Sequence, residues 1–204
     1  MSFSLLYVYY FIDRRCLFQK LHTVSRRNIG MNEVIKALKE RRSIRKFSDK
    51  AVEKSKLEAI IEAGLYAPSG MGKQGAIIVA VTRKDLRDKI AAMNAKIMGR
   101  EGVDPFYGAP VILIVLGNKD VVTSIYDGSL VMGNLMNAAY SEGLGSIWIH
   151  RAKEEFDSEE GKAILKELGI EGNFEGIGHC AIGYSAVENP AAPARKDGRV
   201  FWAE

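Results

Sequence analysis

Residues 125–142, IYDGSLVMGNLMNAAYSE, constrain the fold most, because their only charges, Asp127 and Glu142, stand close to the two ends. Leu130, Val131, Met132, Leu135, Met136, Ala138, Ala139 and Tyr140 cover nearly the whole circumference of a helix. A helix that is apolar all round is packed on every side, so this one reads as central. Asp127 suits the positive end of the helix dipole, and Gly143 followed by Leu144 reads as a left-handed cap with its apolar clasp. Only Gly145 and Ser146 separate that cap from the strand-like 147–149, so the helix delivers a short apolar strand whose end is a candidate site. Gly128, Ser129 and Gly133 admit another backbone closely, and self-pairing across a two-fold axis, a homodimer, is the expectation.

With 204 residues, 47% of them hydrophobic and 26% charged, the chain has the make-up of a globular domain with a substantial core. A net charge of +4 raises nucleic acid as a partner, but the basic residues lie in short separate groups (26–27, 41–46, 195–196), so none is expected. The two cysteines, Cys16 and Cys180, belong to no CxxC, which argues against a disulfide framework or zinc knuckle and for a reducing cytoplasm. The apolar stretch 2–12 is too short to span a bilayer and lacks a signal peptide's basic start and cleavage site, so no membrane partner is expected. Residues 1–30 are read as an N-terminal extension outside the core, and 31–204 as the single domain. The extension is either an arm on a partner subunit or the product of a start codon set too far upstream. The second is preferred, because Met31 opens an ordinary helix and Arg26-Arg27-Asn28 fits a ribosome-binding site read in frame.

Along the domain, Asn32 caps a helix with the apolar stripe Val34, Ile35, Leu38, and Leu57, Ile60, Ile61, Leu65 mark a second helix that breaks at the loop APSGMG. Apolar runs at 76–81 and 111–116 read as strands buried on both faces, with a helix over 84–98 between them. Residues 99–110 form an aperiodic loop able to lie over a site. Asp157 is expected to cap a late helix with Glu160 in a capping box, 178–184 to be the last core strand, and 188–204 an extended arm. Two helices precede the first strand, and the alternation is too irregular for a doubly wound fold, so a mixed sheet with helices on both faces is expected.

The glycine patterns at 70–75 and 176–181 match a dinucleotide fingerprint but fail on context, since one follows a helix and both lead into a strand. His179 and Cys180, neighbours on a strand, point to opposite faces, and a buried Cys is usually inert. Three widely spaced histidines give a metal site little support. The run Arg41-Arg42-Ser43-Ile44-Arg45 differs in kind, because guanidinium forks beside a hydroxyl at a helix end suit a phosphate.

Taken in order, RRSIRKF, APSGMGKQ, DGSLVMGNLMNAAYSEGLGSIWI, GHCAIGY and a basic tail resemble the FMN-dependent nitroreductase family from residue 31 onward. The resemblance implies an α+β, three-layer α/β/α sandwich with a mixed, mostly antiparallel sheet and a long central dimer helix, with FMN at the dimer interface. It implies that Arg41, Arg42 and Ser43 hold the FMN phosphate and ribityl chain, with Arg195 or Lys196 joining from the tail. Arg45 would lie near the pyrimidine edge, where a cation stabilises reduced flavin. Pro68, Ser69, Gly70 and Gln74 would come from the other subunit, and Trp148, Ile149 and His150 would lie along the isoalloxazine. The implied reaction passes hydride from NAD(P)H through FMN to a small-molecule electron acceptor, a nitroaromatic, quinone or similar, with no catalytic acid or base. A flavin-binding or redox-sensing module with little turnover, and related chemistry such as reductive dehalogenation, are the alternatives. Many members read Asn at Gly72 and Pro-Trp at Gly75-Ala76, and the small residues here open the pocket.

Overall fold

The computed structural model describes residues 32–204, and the expected extension 1–30, with Cys16, lies outside the described residues. In chain order the elements are α1 (Glu33–Glu40), α2 (Lys54–Leu65), β1 (Ala76–Val81), α3 (Lys84–Ile97), β2 (Val111–Asn118), α4 (Ser124–Ser141), β3 (Gly145–Ile149), α5 (Ala152–Asp157), α6 (Glu159–Glu167) and β4 (Phe174–Gly183), with one 3₁₀ turn at Gly70–Gly72. Ala37–Glu204 form one compact unit.

The strands make a sheet in the order β1-β2-β4-β3, with every neighbouring pair antiparallel. Among the described residues the expected parallel component is a single bridge, Ser43 to Ser146. The chain returns to the end of the sheet it left: Val81 pairs with Ile112 although a whole helix lies between them. α3 runs out and residues 98–110 run back. Arg87 holds that return, donating from Nε to the Ala109 carbonyl at 3.1 Å and pairing with Asp104, whose carboxylate also accepts from the Phe106 and Gly108 amides. With Phe106 fully buried, the loop expected as a cover is anchored to the core over 104–109.

Successive residues of β2 serve opposite faces, as the pleat requires. Ile112 and Ile114 pack with Ile90, Phe106 and Phe156 on the α3, α5 and α6 side, whereas Leu113 and Val115 pack with Ile60, Met132 and Leu135 on the α2 and α4 side. The result is the expected three layers.

α4 packs on its inner face through Asp127, Gly128, Val131, Met132, Leu135 and Ala139. Its outer stripe is open: Tyr126 is 72% exposed, Ile125 55% and Leu130 47%. Gly128, expected at the self-pairing face, instead meets β4, since a Cβ there would lie 2.6 Å from Ile177 Cγ1. Gly133, on the same stripe as Tyr126 and Leu130, has no atom within 4 Å of an added Cβ. The helix ends in the expected cap: Gly143 has φ +74°, its N–H donates to the Tyr140 carbonyl, and the Leu144 N–H donates to that of Ala139. The α1 stripe Val34, Ile35, Leu38 is exposed. Asp157 does not cap the late helix. It closes α5 and pairs with Lys119 and Lys153, while the hydroxyl of Ser158 accepts the Gly161 N–H as the cap of α6.

Candidate active site at the two ends of the central helix

The basic run leaves α1 and is laid along β3. The Ile44 N–H donates to the Ser146 carbonyl at 3.1 Å, and the Ile44 side chain packs where Gly145 leaves room. Arg42 Nη1 donates to the Lys39 carbonyl at 2.8 Å and the Arg41 carbonyl at 2.7 Å, which satisfies carbonyls that a helix end leaves open. Arg41 Nη1 and Arg42 Nε are buried and have no hydrogen-bond partner among the described residues. Beside them is a cavity of about 170 Å³ lined also by Tyr140, Ser146 and Asn189. Buried guanidinium nitrogens without acceptors are costly unless an anion completes them, so this end of α4 fits a phosphate. Ser43 is half-buried, and Arg45 is exposed.

Pro68, Ser69, Gly70 and Gln74 gather at the other end of the same helix. Asp127, buried in the first turn of α4, accepts from the Gly70 N–H at 3.0 Å and from Thr123 Oγ1 at 2.8 Å. The loop is thereby tied to the positive end of the helix dipole. Its backbone is unusual, with Met71 at φ +52° and Gln74 at φ +49°, and the Gln74 N–H is held by Ser69 Oγ at 3.0 Å. Pro68, Ser69, Gln74 and Asp127 share a cavity of about 160 Å³. Two glycines of the first fingerprint-like pattern serve packing, since a Cβ would lie 2.3 Å from Thr123 Oγ1 on Gly70 and 2.9 Å from Val121 Cγ2 on Gly75.

Trp148 and Ile149 end β3, and His150 follows directly. The Trp148 indole crosses β4 at Gly178, where a Cβ would come within 2.5 Å of its Nε1, so the second glycine pattern also answers to packing. The Ile149 side chain is buried in the core and leaves only its backbone for a ligand, whereas His150 is exposed. The turn that follows is held from inside. Asn94 Nδ2 donates to the His150 carbonyl at 2.9 Å, Arg151 Nε donates to Asn94 Oδ1 at 2.9 Å, and Arg151 adopts φ +77°. His179 Nδ1 lies 3.3 Å from the Ile149 carbonyl, and its Nε2 lies 2.6 Å from Glu155 Oε2. Sequence reasoning missed Asn94 and Glu155, and weighed His179 only with Cys180; a Glu and an Asn at positions of core periodicity were the available signal. Burial pushes the Cys180 thiol up to about 12, so it is no nucleophile.

Arg195 and Lys196 stand in the exposed tail and do not line the Arg41 cavity, with Arg195 Nη2 donating to the Pro193 carbonyl at 2.6 Å. The tail departs beside that cavity, where Asn189 Nδ2 donates to the Glu40 carbonyl at 2.7 Å. Among the described residues there is no cluster of His, Cys, Asp or Glu able to hold a metal, and no helix long and apolar enough to cross a membrane.

The model of the nitroreductase family matches residues 38–184. Over 139 residues the chain is 31% identical to the FMN reductase (NAD(P)H) of Bacillus subtilis, a match covering 57% of this chain and 53% of that protein. The chain thus spans about half the length of that relative. A nitroreductase with bound FMN from Bacteroides fragilis superposes with a TM-score of 0.76 at 30% identity, over 85% of this chain and 100% of its own. One from Desulfitobacterium hafniense, also with bound FMN, gives 0.75 at 26% identity, over 86% and 100%. With its antiparallel sheet, its apolar central helix and motifs in the family's order, the chain belongs to the nitroreductase family.

Proposed function

We propose that the protein is an FMN-dependent oxidoreductase, working as a homodimer in the cytoplasm. FMN supplies the redox chemistry, accepting hydride from NAD(P)H and passing electrons to a nitroaromatic, quinone or similar small acceptor. The carrying observation is the division of the candidate residues between two cavities, one marked by Asp127 and the other by Tyr140. At 1.5 Å per residue these lie about 20 Å apart along α4. A second copy laid antiparallel along the open stripe Tyr126, Leu130, Gly133 brings the 68–74 loop of one chain beside the 41–43 run of the other.

In that arrangement Arg41, Arg42 and Ser43 bind the phosphate and ribityl chain, and the unpartnered Arg41 Nη1 and Arg42 Nε gain an acceptor. Arg195 or Lys196 adds positive charge from the tail. Arg45 supplies a cation where reduction builds negative charge. Pro68, Ser69, Gly70 and Gln74 close the pocket from the partner, and Trp148, the Ile149 backbone and His150 flank the ring system. No side chain is required as an acid or base. The support is the buried, acceptor-less guanidinium atoms, the open apolar stripe, and the two FMN-bound structural neighbours.

Purified protein should be yellow, and under anaerobic conditions NADH or NADPH should bleach the bound flavin in stopped flow. Colourless protein that takes up no FMN would sink the reading. Flavin bleached by dithionite but by neither nicotinamide would favour a redox-sensing module. An acceptor panel of nitroaromatics, quinones and halogenated phenols then identifies the substrate class.

A further inference from the structure

Ile149, the last residue of β3, and the two residues that follow it are each held by a buried polar group. Ile149 and His179 stand opposite one another in the β3/β4 ladder, and the His179 ring is 3.3 Å from the Ile149 carbonyl through Nδ1. Its other nitrogen meets Glu155 at 2.6 Å, and both side chains are fully buried. The Phe106 and Phe156 rings, at centroid distances of 5.2 and 6.4 Å, line the imidazole. The next carbonyl, that of His150, accepts from the fully buried Asn94, whose Oδ1 in turn holds Arg151. Arg151 then sits in the left-handed region, at φ +77°, with no glycine or asparagine to favour it.

Both neighbours of the imidazole are acceptors, a carbonyl and a carboxylate. In the tautomer with hydrogen on Nδ1 the ring donates to the Ile149 carbonyl, while Nε2 lies 2.6 Å from Glu155 Oε2 without hydrogen-bond alignment. Packed between Glu155 and the two phenylalanines, the buried ring is held against one peptide, that of Ile149. Stability does not account for it: buried ion pairs are often matched by apolar residues of similar volume, and Glu155 Oε1 has no hydrogen-bond partner among the described residues. Peptide planarity extends the effect, since fixing the carbonyls of Ile149 and His150 fixes the directions of the His150 and Arg151 N–H groups.

We propose that Asn94, Glu155 and His179 are positioning residues that aim the His150 and Arg151 backbone amides at the redox-active edge of the bound flavin. The assignment rests on the flavin reading above. It goes beyond it by giving three core residues a part in setting the cofactor's electronics through two peptide groups.

The test uses the full chain as wild type, Asn94→Ala, His179→Leu and His179→Gln. FMN affinity is measured by flavin fluorescence, the potential of the bound flavin by dye-linked titration, and amide exchange by NMR. In Asn94→Ala and His179→Leu the His150 and Arg151 amides should exchange about tenfold faster, while α4 keeps wild-type protection. The ratio of affinities for reduced and oxidised flavin should change about tenfold, or about 30 mV for a two-electron couple. His179→Gln, whose amide still donates toward Ile149, should recover most of both. Wild-type exchange and potential in all variants would overturn the positioning role, and so would loosening spread evenly through the core. Wild-type protein that takes up no FMN overturns the flavin reading itself, a distinct result.

Discussion

Gly133→Leu separates the two possible fates of the open face of α4, because it acts with opposite sign on a lone chain and on a dimer. Within one chain an added Cβ at Gly133 meets no atom within 4 Å, and the position lies inside a helix of 18 residues. There the substitution gains about 0.8 kcal/mol of helix propensity and loses no packing. Against a two-fold copy, the leucine enters a close backbone contact, where overpacking costs about 1–3 kcal/mol. An isologous interface contains the site twice, so the dimer loses about 2–6 kcal/mol, and its dissociation constant rises about 30-fold to 10⁴-fold. The propensity gain is common to monomer and dimer and cancels from that constant. Sedimentation velocity over a dilution series gives the constant, and thermal melts at low concentration give the sign for the monomer. FMN occupancy should fall with dimer content, since in the proposed arrangement each flavin site takes residues from both chains. A Gly133→Leu protein with the wild-type dimer constant would refute the helix-to-helix interface. A dissociated monomer that keeps its FMN would refute the shared site.

Asp127→Asn keeps the shape but weakens the acceptor for the Gly70 N–H and Thr123 Oγ1, so urea unfolding should show a loss of about 1–3 kcal/mol, with weaker FMN binding from the freed loop. Arg41→Ala should weaken FMN by about 10- to 150-fold, the worth of one charge-assisted contact. It should leave the unfolding midpoint of FMN-free protein unchanged or higher, because a buried nitrogen without a partner is removed. Cys180 should resist thiol reagents in native protein and react on unfolding. Its folded pKa is raised to about 12 from a reference of 9.0, so the unfolded chain loses the proton first as pH rises. Stability should therefore fall through that window by up to about 1.4 kcal/mol per pH unit, a slope that Cys180→Ala removes. Gly72→Asn should fold normally, since Gly72 has φ +63° with open space around it and Asn tolerates that region. Any change it makes in acceptor preference reads directly on the pocket.

Much of the architecture is local in origin and was legible in the chain. The all-round apolarity of 125–142, the Gly143 stop and the continuous apolar runs of β1 and β2 follow from periodicity and cap chemistry, which neighbouring residues decide among themselves. The cationic forks at 41 and 42 raised an anion site as an expectation from residue type alone, and the fold added two buried guanidinium nitrogens without acceptors. What the tertiary structure decided was direction and partnership. Only the packed chain turned Gly128 inward to Ile177 and left Gly133 open, because a helix apolar on every face does not say which face meets the sheet. Only the return path through Arg87 and Asp104 made β1 and β2 antiparallel across an intervening helix. And only the fold brought Asn94 and the His179–Glu155 pair to the peptides where β3 ends. Such groups are distant in sequence and carry no spacing, so their chemistry exists only where the sheet and two helices close around them.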